Sequence, residues 1–206
     1  MIHATFERLP EEKKERILAA ARREFVEYPY EKSSINRILQ DAKVPKGSFY
    51  QYFDDKVDLF FLCVHSVYQR LLLARQAHQE PLLNAGVIRM KELGYEQGYN
   101  LFTQDLTNYL SGEDFALFKN MLNAPDAIRN HVLMRVASEL IAPIIKEELK
   151  SLDGIREDID YDYYAYLLSL SEVIPVDYGT RHQYTMDEIM YLAYKYMRSI
   201  YDSILK

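Results

Sequence analysis

The chain has 206 residues, 49% of them hydrophobic, which suits a compact protein of one or two domains with a substantial core. Seven glycines and seven prolines are few, favouring helix over a β-sandwich; a single cysteine excludes an internal disulfide and a cysteine-rich zinc site and fits a reducing cytoplasm. The net charge of −6 is unevenly spread: Met1–Lys56 holds eleven Lys and Arg against ten Asp and Glu, and the remainder fourteen against twenty-one, so any nucleic-acid contact must use a local face of the first quarter.

Residues 1–9 read as a short, charged arm without an apolar signal core, with His3 and Arg8 as marginal DNA contacts. No apolar run approaches the roughly 20 residues of a membrane span. A helix starts near Pro10, with Glu11, Glu12 and Glu15 in its first turns and Ile17, Ala20, Ala21, Phe25 and Tyr28 as its buried stripe. Tyr28-Pro29-Tyr30 ends it. Ser33 or Ser34 then caps a second helix whose inner face is Ile35, Ile38, Leu39 and Ala42. Lys43-Val44-Pro45 breaks the pattern, because Pro45 disfavours helical geometry at Val44 and itself suits the first position of a new helix. That helix runs from Pro45 to about Tyr52. Phe49 and Phe53 face inward, while Lys46, Gly47, Ser48, Tyr50, Gln51 and Tyr52 form an outer face with no acid. One cation, hydroxyls, an amide and a residue without a side chain are groups that a helix-turn-helix brings to base edges and phosphates in a major groove.

Ile17–Ala21 with Phe25, Ser33-Ser34-Ile35 with Ile38, and above all Lys46-Gly47-Ser48-Phe49-Tyr50-Gln51-Tyr52-Phe53 followed by Lys56 and Leu59 carry a resemblance. Residues 10–65 resemble the DNA-binding domain of the TetR family of transcriptional regulators. Two positions depart from the pattern. The corner holds Lys43 where the family has Gly, so Lys43 must take a strained backbone or the corner is built differently. Pro45 stands where the family has Ser or Thr, which removes a side-chain cap. The resemblance implies an all-α protein: a three-helix helix-turn-helix domain over 1–55, then a ligand-binding and dimerisation domain over 56–206, about nine helices altogether. Lys46 and Asn36 are the candidates for base edges, since Asn36 in a first helical turn can bond adenine bidentately. Ser34, Gly47, Ser48, Tyr50, Gln51 and Tyr52 are candidates for phosphate or the groove wall. Lys56, at the start of the next helix, is a candidate phosphate ligand.

Asp54 and Asp55 cap that next helix, which runs from about Lys56 to Gln79 with Leu59, Phe60, Leu62, Cys63, Val64 and Val67 buried. Further helices are expected near 85–110, 113–123, 126–150, 161–174 and 187–205, with breaks at Gly112, Ala124-Pro125, Ser151–Asp160 and Pro175–Thr185. Pro143 should kink the third of these. Eighteen tyrosines without a tryptophan are unusual, and Met90, Tyr95, Tyr99, Phe102, Tyr109, Phe118, Met121 and Met134 suit the wall of a pocket for a small apolar or aromatic effector. Ordinary core is the plainer reading of each. The last two helices carry Tyr163, Leu167, Leu170 and Ile174, and Ile189, Ala193, Met197, Ile200 and Ile204, at helical spacing. These stripes suit half of a four-helix bundle with a second copy, or packing inside one subunit; the resemblance favours the homodimer. No metal-ligand spacing, phosphate-cradling glycine loop or nucleophile elbow occurs, so neither a cofactor nor an enzyme is expected. The expected function is a repressor on a palindromic operator released by its effector; an activator or a ligand-independent regulator with the same head is the alternative.

Overall fold

Each helix of the N-terminal half begins or ends where the sequence supplies a reason. In a computed structural model describing residues 1–77, 97 and 109–205, α1 spans Ala4–Glu7, α2 Glu11–Glu27, α3 Ile35–Asp41, α4 Phe49–Tyr52 and α5 Lys56–Ala77. Pro10 and Pro29 stand immediately before α2 and a short 3₁₀ turn, Tyr30–Lys32, where a missing N–H costs nothing. The Ser34 hydroxyl accepts from the Arg37 N–H and caps α3. At the other end of α3 the Lys43 N–H donates to the Gln40 carbonyl at 3.2 Å and the Val44 N–H to that of Leu39 at 2.9 Å. This is a Schellman closure with Lys43, at φ 55°, in the left-handed position that glycine normally fills. The strain expected at the corner is therefore present. A non-glycine residue there costs roughly 1–2 kcal/mol.

The arm expected over residues 1–9 is instead folded onto the head. Phe6 is buried, its ring centroid 4.8 Å from that of Phe53, and the His3 N–H donates to the Tyr52 carbonyl at 2.8 Å. The core below it is aromatic: Phe25 and Tyr30 lie 4.8 and 5.0 Å from Phe60, and Phe49 lies 5.4 Å from Phe53. Helix α5 corrects another expectation. Over Lys56–Ala74 its mean hydropathy is 1.4, long and apolar enough by length and composition to cross a membrane. Leu59, Phe60, Phe61, Cys63 and Val64 are instead buried in the core of the head, which is why the run is so apolar.

The remaining described helices are α6, Gly112–Leu122; α7, Asp126–Arg135; α8, Ala142–Ser151; α9, Tyr161–Ser169; α10, Ile174–Arg181; and α11, Met186–Ile204. Capping boxes start α6 (Ser111 with Asp114) and α11 (Thr185 with Glu188). No strand occurs among the described residues, only isolated bridges at Ile2–Phe53 and Ile155–Leu205. The helix expected over 85–110 lies outside the described residues. The kink expected at Pro143 takes the form of a π-helical stretch, Val136–Ile141, between α7 and α8. Widening the turn there accommodates a ring that cannot donate a hydrogen bond. The break expected over Pro175–Thr185 is mostly helix, because Pro175 sits in the first turn of α10, where proline is tolerated.

The chain clusters into two compact units that differ from the expected division at residue 55. One is Met1–Val67 with Ser111–Val132; the other comprises the described residues of Tyr68–Leu110 and Leu133–Lys206. In the second, α8 packs on α9, and α9 and α10 pack on α11. Gly179 of α10 meets α11 so closely that an added Cβ would lie 2.3 Å from Ile189 Cγ1. Gly179→Ala should therefore cost about 1–3 kcal/mol, read as a lowered urea midpoint with an unchanged slope.

Candidate nucleic-acid interface

The outward side of the helix-turn-helix is built on a buried carboxylate. Glu24 of α2 is 7% exposed, and its Oε1 accepts from the Ser34 N–H at 2.7 Å and from Arg37 Nη2 at 2.5 Å. Arg37 Nε donates to both carboxylate oxygens at 3.0 Å, Nη2 reaches the Lys32 carbonyl at 2.9 Å, and the guanidinium lies 4.3 Å from the Tyr28 ring centroid. Donating to the Glu24 carboxylate raises the Arg37 pKa further. One acid thus fixes the first turn of α3 against α2, and with it Asn36, which stays exposed.

The recognition segment is a 3₁₀ turn, Lys46–Ser48, continued by α4. Lys46, Gly47, Tyr50 and Gln51 are exposed and Ser48 is half-buried; Tyr50 is 69% exposed although it is aromatic. A groove of about 510 Å³ separates this segment from the start of α3. Ser34, Asn36, Lys46, Tyr50, Asp55 and Lys56 supply its polar rim, and Ile35, Leu39 and Phe49 its floor. Asp55 is the single acid in that lining.

Two expected contacts are placed otherwise. Tyr52 is 6% exposed, its hydroxyl accepts from Lys13 Nζ at 3.0 Å, and its ring packs 6.2 Å from Phe6; it is core, because α4 turns that position inward with Phe49 and Phe53. Lys56 is half-buried. Its Nζ donates to the carbonyls of Tyr30 at 2.6 Å and Ser33 at 3.1 Å and lies 4.3 Å from the Tyr30 ring centroid. Burial lowers its pKa, partly offset by the charges of Asp55, Glu24 and Glu31. Lys56 therefore staples α5 to the turn before α3, and only its remaining N–H is left for a phosphate. Burial also pushes the Tyr30 phenol up to about 12, with Asp55 and Asp58 adding to the shift.

The other cations of the head are mostly tied. Lys14 pairs with Glu11, Arg16 with Glu12, Arg22 with Asp114 and Arg23 with Asp41. Lys43 and Lys46, which flank the corner, are exposed and have no carboxylate partner among the described residues. Arg8 and Lys32 are likewise exposed without a carboxylate partner among the described residues, but Lys43 and Lys46 are the two that lie at the corner and the recognition segment.

Residues 17–63 match the model of the family described as bacterial regulatory proteins, tetR family. Over those residues the head is similar to the DNA-binding domain of that family. It is similar to the HTH-type transcriptional regulator HbdR of Aromatoleum sp. (strain CIB), at 42% identity over 60 residues, 29% of this chain and 26% of that protein. It is also similar to the HTH-type transcriptional repressor Rv1474c of Mycobacterium tuberculosis (strain ATCC 25618 / H37Rv), at 35% identity over 77 residues, 37% of this chain and 39% of that protein. The matched stretch thus spans between about a quarter and two fifths of these relatives. Among solved structures, a TetR family regulator from Chloroflexus aurantiacus J-10-FL aligns over 100% of this chain and 99% of its own at 18% identity, with a TM-score of 0.46. A regulatory protein TetR from Rhodobacter sphaeroides aligns over 93% and 98% at 21% identity, with a TM-score of 0.40.

Beyond the head, four of the expected effector-pocket residues, Met90, Tyr95, Tyr99 and Phe102, lie outside the described residues. The other four are divided between the two units. Phe118 and Met121 belong to the first unit, where Met121 is fully buried core, and Tyr109 and Met134 belong to the second. The dimer stripe divides as well. Ile189, Ala193 and Ile204 are buried within the subunit, since α11 turns them onto its own neighbours. Tyr163 and Ile174 are 55% and 44% exposed, and Leu167, Leu170, Met197 and Ile200 are half-buried. Glu24 went unnoticed in the sequence because a charged residue among Arg22, Arg23 and Glu27 reads as solvated surface. Its position one helical turn before Tyr28, on the Ala20–Ala21 side of the stripe, was the available signal.

Replacing Glu24 by Ala should lower stability by about 2 kcal/mol, because the Ser34 N–H and the Arg37 guanidinium lose a charged acceptor. Arg37→Ala should cost less, its side chain being 47% exposed. Urea unfolding of the two variants gives the comparison.

Proposed function

We propose that the protein is a DNA-binding transcriptional repressor that grips a palindromic operator as a homodimer and lets go when a small apolar or aromatic effector binds its C-terminal half. Its place of action is the cytoplasm. The observation that carries the DNA-binding part is the pairing of free charge with an open groove: Lys43 and Lys46 lack carboxylate partners among the described residues while the other head cations are largely engaged, and Lys46, Tyr50 and Asn36 rim one groove. Lys46 and Asn36 read base edges, and Gly47, Ser48, Tyr50 and Gln51 meet the groove wall and phosphates. Ser34 serves first as the cap of α3. The sign of regulation follows the relative named as a repressor.

Homodimerisation is supported by the apolar surface left open on α9 and α10, where Tyr163, Tyr166, Ile174 and Tyr178 are each at least 36% exposed. A twofold axis through such a face presents two heads, which calls for two half-sites about one helical turn of DNA apart. An effector releases the operator only by binding one arrangement of the heads more tightly than the other. Selection of the purified protein on a random duplex library tests the reading: an inverted repeat should be enriched, and enrichment of no duplex would sink it.

Two substitutions separate specificity from charge. On the selected operator Lys46→Ala should weaken binding by roughly 1–3 kcal/mol and relax the preference at one position of each half-site, as seen by fluorescence anisotropy on operator variants. Lys43→Gly should raise the melting temperature by relieving the left-handed strain, yet weaken binding to every duplex alike and flatten its salt dependence. A protein stabilised by that change with DNA affinity intact would remove Lys43 from the interface.

A further inference from the structure

Helix α2 ends against a proline, and this leaves a gap in its hydrogen bonding. The carbonyl of Phe25 would ordinarily accept from the N–H four residues on, but that residue is Pro29. The missing donor comes from a residue 95 positions away. Asn120 of α6 donates from Nδ2 to the Phe25 carbonyl at 2.6 Å and to the Tyr28 carbonyl at 2.8 Å, and its Oδ1 accepts from the Tyr30 N–H at 2.8 Å. One carboxamide therefore satisfies three main-chain groups on both sides of Pro29. Helix α6 is anchored a second time, by Arg22 Nη2 to Asp114 Oδ1 at 2.6 Å, with the Asp114 side chain 5% exposed. These contacts explain why Ser111–Val132 clusters with Met1–Val67 in one compact unit.

We propose that Asn120 is a positioning residue for DNA recognition. It sets the turn Pro29–Ser33, and that turn sets the start of α3. The path is continuous. Asn120 holds the Tyr30 N–H; the Tyr30 carbonyl accepts from Lys56 Nζ, which also binds the Ser33 carbonyl; the next N–H, of Ser34, is held by Glu24. Asn36 and the groove follow within three residues. Lys56 and Asn120 thus grip opposite sides of one residue, Tyr30, from two different helices. The inference rests on the DNA-binding reading above and assigns to it a determinant far from the helix-turn-helix in sequence.

The test compares the parent with Asn120→Ala, Lys56→Met and the double variant, by anisotropy on the selected operator at a temperature where all are folded. Asn123→Ala serves as control, since the Asn123 Nδ2 bonds only its own helix, at the Lys119 carbonyl. Asn120→Ala should melt cooperatively, bind about tenfold more weakly and keep the parent's salt slope, because no phosphate contact is lost. Amide exchange should accelerate at Tyr30 and through Ile35–Asp41. The double variant should lose less than the product of the two single losses, because both act on one turn. A role in stability alone predicts a lower melting temperature with affinity and exchange at Ile35–Asp41 unchanged, and that result would overturn the proposal, as would losses that multiply. Should the alanine variant fail to fold, Asn120→Ser keeps one hydroxyl donor and gives the same comparison at smaller amplitude. If the parent binds no duplex the DNA-binding reading fails, while exchange at Tyr30 and Ile35–Asp41 still decides whether Asn120 sets the turn.

Discussion

The Glu24 carboxylate is the constraint on which the reading head depends. A buried acid is costly unless its lone pairs are filled, and here they are filled by the groups that must be held still: the first N–H of the Ser34 cap and the guanidinium of Arg37. The arrangement converts a liability into geometry. Helix α3 is too short, at seven residues, to hold its own direction. Its start is pinned by Glu24 and its end by the Schellman closure over Lys43, so the side chains on its exposed face are presented by fixed backbone.

This has an electrostatic consequence. A head with eleven cations in its first 56 residues would be expected to grip any polyanion, yet most of those cations are spent on internal carboxylates and carbonyls. What remains is Arg8, Lys32 and a small basic spot at the corner, Lys43 with Lys46. Non-specific attraction is then weak and its salt dependence shallow, since few phosphates are neutralised, and discrimination falls to the few groups around the groove. Lys43 illustrates the exchange: a lysine occupies a left-handed position that glycine would hold without strain, and what it adds is an unpaired charge beside the recognition segment.

The run from Lys46 to Lys56 was legible in sequence because local rules govern it: a proline opens the turn, aromatic residues alternate with polar ones at helical spacing, and two acids stand just before the next helix. The helix-turn-helix, the strain at Lys43 and the bounds along the chain of α2, α3 and α6 follow from the same local logic. What misled was long range. Tyr52 and Lys56 have polar tips that suit DNA, but a phenol can end in the core once Lys13 supplies a partner, and an ammonium can satisfy carbonyls as readily as phosphates. Periodicity placed Ile189, Ala193 and Ile204 on one stripe of α11 without saying whether a neighbour in the same chain would cover it, and in the fold it does.

The place of α6 was the least legible feature, for the same reason. Nothing near Asn120 marks it, since asparagine in a helix ordinarily faces solvent. Its partner is a defect elsewhere, the donor that Pro29 fails to supply. Once the two are put together, the boundary drawn after residue 55 no longer describes the head. Cutting there would leave the Phe25 and Tyr28 carbonyls and the Tyr30 N–H bare and would strip Arg22 of its buried acid. The unit that presents the groove includes a helix from beyond residue 110, so the turn before α3 is held from two places in the chain, and a change felt at either reaches the same residue, Tyr30.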